Sequence, residues 1–141
     1  MRSYLFLDGG AIRASFKSLA EDLKEPSIEL DFRAVGRDFD RVFYFDGMPS
    51  RRTDQPEDEY RQKLDAKEAE LLALSLQPKV HIRTGTTRYR KRKEGGFEQK
   101  GVDVLIAIDM LRYASQGHMD HATLWSSRLL NLGLGWNRIF G

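Results

Sequence analysis

Tyr4–Arg13 reads YLFLDGGAIR, and the fold is decided within these residues. Tyr4–Leu7 is an unbroken apolar run, the pattern of a strand buried on both faces. Asp8-Gly9-Gly10 stops it. From Ala11 the period changes: Ile12, Phe16, Leu19, Ala20 and Leu23 recur at helical spacing as far as Pro26. Arg41–Phe45, RVFYF, repeats the strand, and Asp46-Gly47 repeats the stop.

The rest of the chain keeps this alternation. Asp54 and Glu57 have capping-box spacing, with Pro56 suited to a first helical turn. Tyr60, Leu64, Lys67, Leu71 and Leu74 then form one helical stripe. Val80–Arg83 predicts a third strand ended by Gly85, and residues 86–93 an extra extended segment turning at Gly95-Gly96. A helix follows over about 101–117, and His121–Trp125 is the fourth strand. Strands alternating with helices predict an α/β fold: a mostly parallel sheet with helices on both faces and right-handed crossovers. No repeat or long linker divides the chain.

Composition narrows the function classes. The absence of cysteine removes disulfide frameworks and thiolate metal sites. No apolar run approaches the roughly 20 residues that span a bilayer, and the N-terminus lacks a signal-peptide pattern. The cytoplasm is the default expectation, with no membrane partner. No Gly-x-Gly-x-x-Gly or Walker-type loop is present, so no nucleotide cofactor is expected. Net charge is +2, unevenly spread: −4 over residues 1–78, +6 over 79–100 and 0 over 101–141. A basic block inside a mildly acidic chain hints at a polyanionic partner.

Parallel sheets bind ligands beyond the carboxyl ends of their strands. Asp8 and Asp46 both follow buried strands, each with a glycine that leaves room beside the carboxylate. Asp103 falls in the first turn of a helix, where an acid also simply complements the helix dipole. Asp109 interrupts the apolar face of Val102, Leu105, Ile106 and Tyr113, so it must be hydrogen-bonded, paired or metal-bound. It lies about 9 Å along the axis from Asp103, too far for both to grip one ion directly. Carboxylates at a strand edge suit Mg²⁺ or Mn²⁺. His118 and His121 have a spacing that zinc could use, but no third ligand is evident.

Three stretches, YLFLDGGAIR at 4–13, VFYFDGM at 42–48 and QKGVDVLIAIDML at 99–111, come in an order and spacing that resemble the NYN domain family of PIN-like nucleases, in particular its LabA-like branch. The resemblance covers about residues 3–125. It implies a Rossmann-like three-layer fold and a ribonuclease using one or two Mg²⁺ or Mn²⁺ ions. By motif match, Asp8 is the first-strand catalytic aspartate, Asp103 the aspartate of a KGVD motif and Asp109 the acid following on the same helix. Asp46 matches a strand-end acid; metal would be held by Asp8, Asp103 and Asp46.

Two departures stand out. Ala11 and Ile12 occupy positions where family members often carry Asn or an aromatic residue. After Trp125 the family continues with a Gly-Asp-x-Asp-Phe-like acidic motif, whereas no Asp or Glu follows Asp120 in this chain. The expectation is an NYN-like domain over 1–125 with its last crossover incomplete and a divergent tail over 126–141, as a frameshift or truncation would leave. An uncovered sheet edge would favour homo-oligomers.

The basic block has two readings. Arg83, Arg88, Tyr89, Arg90, Arg92 and Lys100, with Lys91 and Lys93, could hold RNA phosphates and stack on an unpaired base. Equally, they could form a solvated edge strand that resists aggregation. The leading expectation is a metal-dependent endoribonuclease. The alternative is a non-catalytic RNA-binding or partner-binding module with a decayed or truncated site.

Overall fold

A computed structural model describes residues 1–86, 88–90, 96–98, 101–126 and 138–139 of the chain. The elements are β1 (Ser3–Asp8), α1 (Gly9–Leu23), α2 (Phe32–Gly36), β2 (Arg41–Met48), α3 (Glu57–Ser75), β3 (Val80–Thr86), β4 (Arg88–Arg90), β5 (Gly96–Glu98), α4 (Val102–Ser115), β6 (His121–Trp125) and β7 (Arg138–Ile139). The main sheet has the order β3-β2-β1-β6-β7, with β4 and β5 forming a separate antiparallel pair. β3, β2, β1 and β6 are mutually parallel, and β7 runs antiparallel along β6. The expected α/β fold with helices on both faces is thus present, in a Rossmann-like three-layer arrangement. No helix among the described residues is long and apolar enough to cross a membrane.

Strand alternation sorts the core into two layers. Tyr4 and Phe6 of β1, Phe43 and Phe45 of β2, and Ala122 and Leu124 of β6 face α4, where they meet Val102, Ile106 and Met110. Phe6 stacks on Phe43 at 5.3 Å, and Phe43 on His81 at 5.2 Å. Leu5, Leu7, Val42, Tyr44 and Val80 face the other way, against Ile12 of α1 and Leu71 of α3. Burial of each such large apolar side chain contributes about 1.5–3 kcal/mol, which is why β1, buried on both faces, anchors the sheet.

α1 begins one residue after Asp8 because the Asp8 carboxylate caps it, accepting hydrogen bonds from the Gly10 and Ala11 N–H groups. It ends at Lys24, in the left-handed region at φ +55°, just before Pro26. Ile12 and Ala20 of its apolar stripe are buried, but Leu19 and Leu23 are exposed. In α3 the stripe holds throughout: Tyr60, Leu64, Lys67, Leu71 and Leu74 are its buried or half-buried residues, and every other position is exposed.

Two local expectations are corrected. The Asp54–Glu57 capping box does not form; Pro56 holds the cap position without a side-chain bond, and Glu57, Asp58 and Glu59 complement the helix dipole instead. Gly85 does not end β3, which continues to Thr86 paired with Met48. Gly85 is instead where β3 meets the start of α4: a Cβ there would stand 3.2 Å from Val102 Cγ2 and 3.3 Å from its backbone nitrogen. Within the extended segment expected over 86–93, the described residues Arg88–Arg90 form β4, which pairs antiparallel with β5.

Candidate functional site

The carboxyl edge of the parallel strands carries Asp8 and Asp46, but alternation sends them to opposite faces. Asp8 has the parity of Tyr4 and Phe6 and faces α4; Asp46 has the parity of Val42 and Tyr44 and faces α1 and α3. Their surroundings differ accordingly.

Asp46 is sealed by cations. Arg13 of α1 donates to both of its oxygens, at 2.6 and 3.0 Å, and Lys67 of α3 donates at 3.0 Å. Its own neighbour Gly47 donates a further N–H at 2.9 Å. Burial alone would raise this carboxyl, but the hydrogen bonds and charges of Arg13 and Lys67 more than offset it and hold the group below the ordinary carboxylate range. Tyr44, beneath Arg13, is pushed up to about 12, chiefly by burial and then by the Asp46 charge. Two cations already neutralise Asp46, so the expectation that it holds metal alongside Asp8 is not supported by its geometry.

Asp109 is likewise committed. It is fully buried and accepts two hydrogen bonds from Arg83 of β3, at 2.8 and 3.2 Å. The fork-to-carboxylate pair ties α4 to the sheet's β3 edge. Asp109 is therefore a brace, and of the alternatives open from sequence the hydrogen-bonded one is realised. Arg83, expected on the RNA surface, is held by this pair with its side chain still 40% exposed.

Asp8 is held differently. Both hydrogen bonds to Asp8, at 3.0 and 3.3 Å, fall on Oδ1, so Oδ2 accepts none from the described residues. Gly9 makes this turn possible: a Cβ there would stand 2.7 Å from the Tyr44 ring and hydroxyl. Burial, the largest influence, raises the Asp8 carboxyl; the Ala11 N–H lowers it, and the Asp103 charge raises it again. Smaller still are the Gly10 N–H, which lowers it, and the Asp46 charge, which raises it, and the net result is a raised pKa. Asp103, half-buried in the first turn of α4, is thus near enough to repel Asp8.

Some residues were missed from sequence. Arg13 and Lys67 neutralise Asp46, and the signal was available: a lysine inside the apolar stripe of α3 implies a buried acid partner. Ser126 is buried and follows the Leu7–Trp125 pair of the β1–β6 ladder, so it stands beside Asp8 at the strand edge.

Among the described residues, no group of three or more His, Cys, Asp or Glu side chains is placed to hold a metal ion. His118 instead lies against the Tyr113 ring. Of the expected RNA-contacting residues, the side chains of Arg88, Tyr89 and Arg90 and the whole of Arg92 and Lys100 lie outside the described residues. Mg²⁺ is usually bound by only one or two carboxylates with water completing its shell, and Asp8 has one oxygen that no hydrogen bond from the described residues occupies. Comparison of the chain with protein-family models, curated proteins and solved structures finds no match.

Proposed function

We propose that this chain is an NYN-type, metal-dependent endoribonuclease whose Mg²⁺ or Mn²⁺ ion is held by Asp8 and Asp103. The observation that carries this reading is a like-charged carboxylate pair at the carboxyl edge of a parallel sheet, one member capping a helix through a single oxygen. Burial and the nearby Asp103 charge both disfavour the ionised Asp8 carboxylate, and a divalent cation relieves both. The +6 segment at 79–100, leading directly into α4, supports a polyanionic substrate. A cytoplasmic setting is part of the proposal.

When bound, the ion would supply positive charge at the phosphodiester and make an adjacent water more acidic. The chain's own residues do the rest. The Gly10 and Ala11 N–H groups fix the Asp8 carboxylate so that Oδ2 points away from the cap. The Gly85–Val102 contact places the first turn of α4, and hence Asp103, against the sheet, and the Arg83–Asp109 pair ties the helix down further along. The exposed part of Arg83 and the basic segment would guide the RNA backbone.

The test is cleavage of single-stranded RNA with Mg²⁺ or Mn²⁺, beside a chelator control and the Asp8→Asn and Asp103→Asn variants. Loss of roughly 100-fold or more in both is expected, as for removal of a charge-stabilising group. Unchanged cleavage in both would remove these carboxylates from the mechanism. One observation favours the second reading, a non-catalytic RNA-binding module: Asp46 and Asp109 are both neutralised by cations, leaving a site of two acids. That reading predicts salt-sensitive RNA binding indifferent to Mg²⁺ and chelator.

A further inference from the structure

On the sheet face opposite Asp8, a groove of about 810 Å³ opens between α1, the 24–31 connection and α3. Its floor is the core itself, where Ile12 and Tyr44 are buried. Its walls are Phe16, Phe32 and Leu74. Two of the aromatic walls are fixed: Phe32 meets Tyr44 at 6.2 Å, and Phe16 meets Trp125 edge-on at 5.7 Å. Size and lining are those of a small-molecule site. Neither Asp8 nor Asp103 lines it.

Charge identifies the occupant. At the inner end, Asp46, Arg13, Lys67 and Glu70 form a linked set of two cations and two carboxylates, balanced within itself. The other charged lining residues are Glu21, Glu25 and Glu29 against Lys17, three carboxylates to one ammonium. An apolar anion would meet a rim of its own sign. An apolar cation meets opposite charge at the rim and aromatic side chains within.

We infer that this groove binds a small organic cation with an apolar body, an aryl- or alkylammonium, at a site separate from the Asp8 edge. The ammonium sits among Glu21, Glu25 and Glu29, and the body lies over Tyr44 between Phe16 and Leu74. This does not depend on the nuclease reading.

The experiment is calorimetric titration of the full chain with 4-phenylbutylammonium, 4-phenylbutanol and 4-phenylbutyrate, three head groups on one body. The ammonium should bind with a Kd on the order of 0.1–1 mM, in line with its atom count. The alcohol should bind more weakly and the carboxylate least. The combined Glu21→Gln, Glu25→Gln, Glu29→Gln variant should weaken the ammonium roughly tenfold, and Asp8→Asn should leave it unchanged. In the wild type, methyl resonances of Ile12, Leu30 and Leu74 should shift on titration while those of Val104 and Leu111 on α4 stay fixed. Absence of ammonium binding up to ten millimolar overturns the inference. So does equal binding of all three heads, or shifts confined to α4.

Discussion

Replacing Asp8 with asparagine should leave the protein at least as stable as the wild type at neutral pH while removing its response to divalent cations. Asparagine matches aspartate in shape and caps helices as well. Its amide oxygen can keep the 3.0 and 3.3 Å bonds from Gly10 and Ala11, so what changes is the charge. Losing it forfeits attraction to the α1 N-terminus, about 0.3–1 kcal/mol. It also removes the burial penalty and the repulsion from Asp103, which together outweigh the stabilising bonds, since the pKa is raised. A raised carboxylate pKa means that the ionised group opposes folding above that pKa, and that stability is regained as pH falls through it. The expected net change for Asp8→Asn is between zero and a gain of about 1 kcal/mol. A bound ion neutralises Asp8 in the wild type as the substitution does in the variant. At roughly ten times its Kd, Mg²⁺ should add about 1.4 kcal/mol to the wild type, and nothing to the variant. The assay is urea unfolding with and without MgCl₂ at constant ionic strength, checking that the slope is unchanged. Asp8→Ala, which loses both cap bonds, should cost about 1 kcal/mol and calibrates the scale. Destabilisation of Asp8→Asn by more than about 1.5 kcal/mol, or equal Mg²⁺ stabilisation of both proteins, refutes the reasoning.

Two further predictions concern the neutralised acids. Asp46 has a lowered pKa, so its stabilisation is complete above the unfolded carboxylate range and is lost as pH falls through the folded value. Stability measured from neutral pH down to about pH 2 should therefore fall less steeply in Asp46→Asn, which should already be weaker by about 2–4 kcal/mol at neutral pH with two cations left facing an amide; parallel pH profiles would count against this. Arg83→Met leaves the fully buried Asp109 without its partner and should cost about 2–3 kcal/mol, below the usual range for a buried pair because the Arg83 side chain is 40% exposed. Adding Asp109→Leu should restore stability to within about 1 kcal/mol of the wild type, and a double-mutant coupling under about 0.5 kcal/mol would show that the pair contributes little.

The architecture was legible because burial forces it. A strand covered on both faces reads as a continuous apolar run, and Tyr4–Leu7 and Val42–Phe45 are such runs. The stripe of α3 was legible residue by residue because a mostly exposed helix has one contact line and nothing else to satisfy. Features set by tertiary proximity were not. The Asp54–Glu57 spacing fits a cap, but the chain enters α3 at Pro56, and only the fold decides that. Gly85 looks like a strand stop, since the sequence does not show Val102 packing against its missing Cβ. Leu19 and Leu23 have the helical spacing of core residues but are exposed, while Ala20 between them is buried.

The candidate site was half legible, and the missing half follows from strand parity. Asp8 and Asp46 both end apolar runs, so sequence places both at one edge and invites a single site. Counting in twos from Phe6 and from Tyr44, with Phe6 paired to Phe43, sends the two carboxylates to opposite faces. Once they are separated, each must be neutralised by its own surroundings. The α1–α3 face offers Arg13 and Lys67, and Asp46 is taken up by structure. The α4 face offers Arg83, but Asp109 sits opposite it on the helix and takes it. Asp8 is left with two backbone N–H groups on one oxygen and a second acid nearby. A strand-end acid is therefore worth testing as a ligand when the cations on its own face are already claimed by other acids. Asp46 fails that condition because it holds its own cations, and among the described residues Asp8 meets it because Asp109 has taken Arg83.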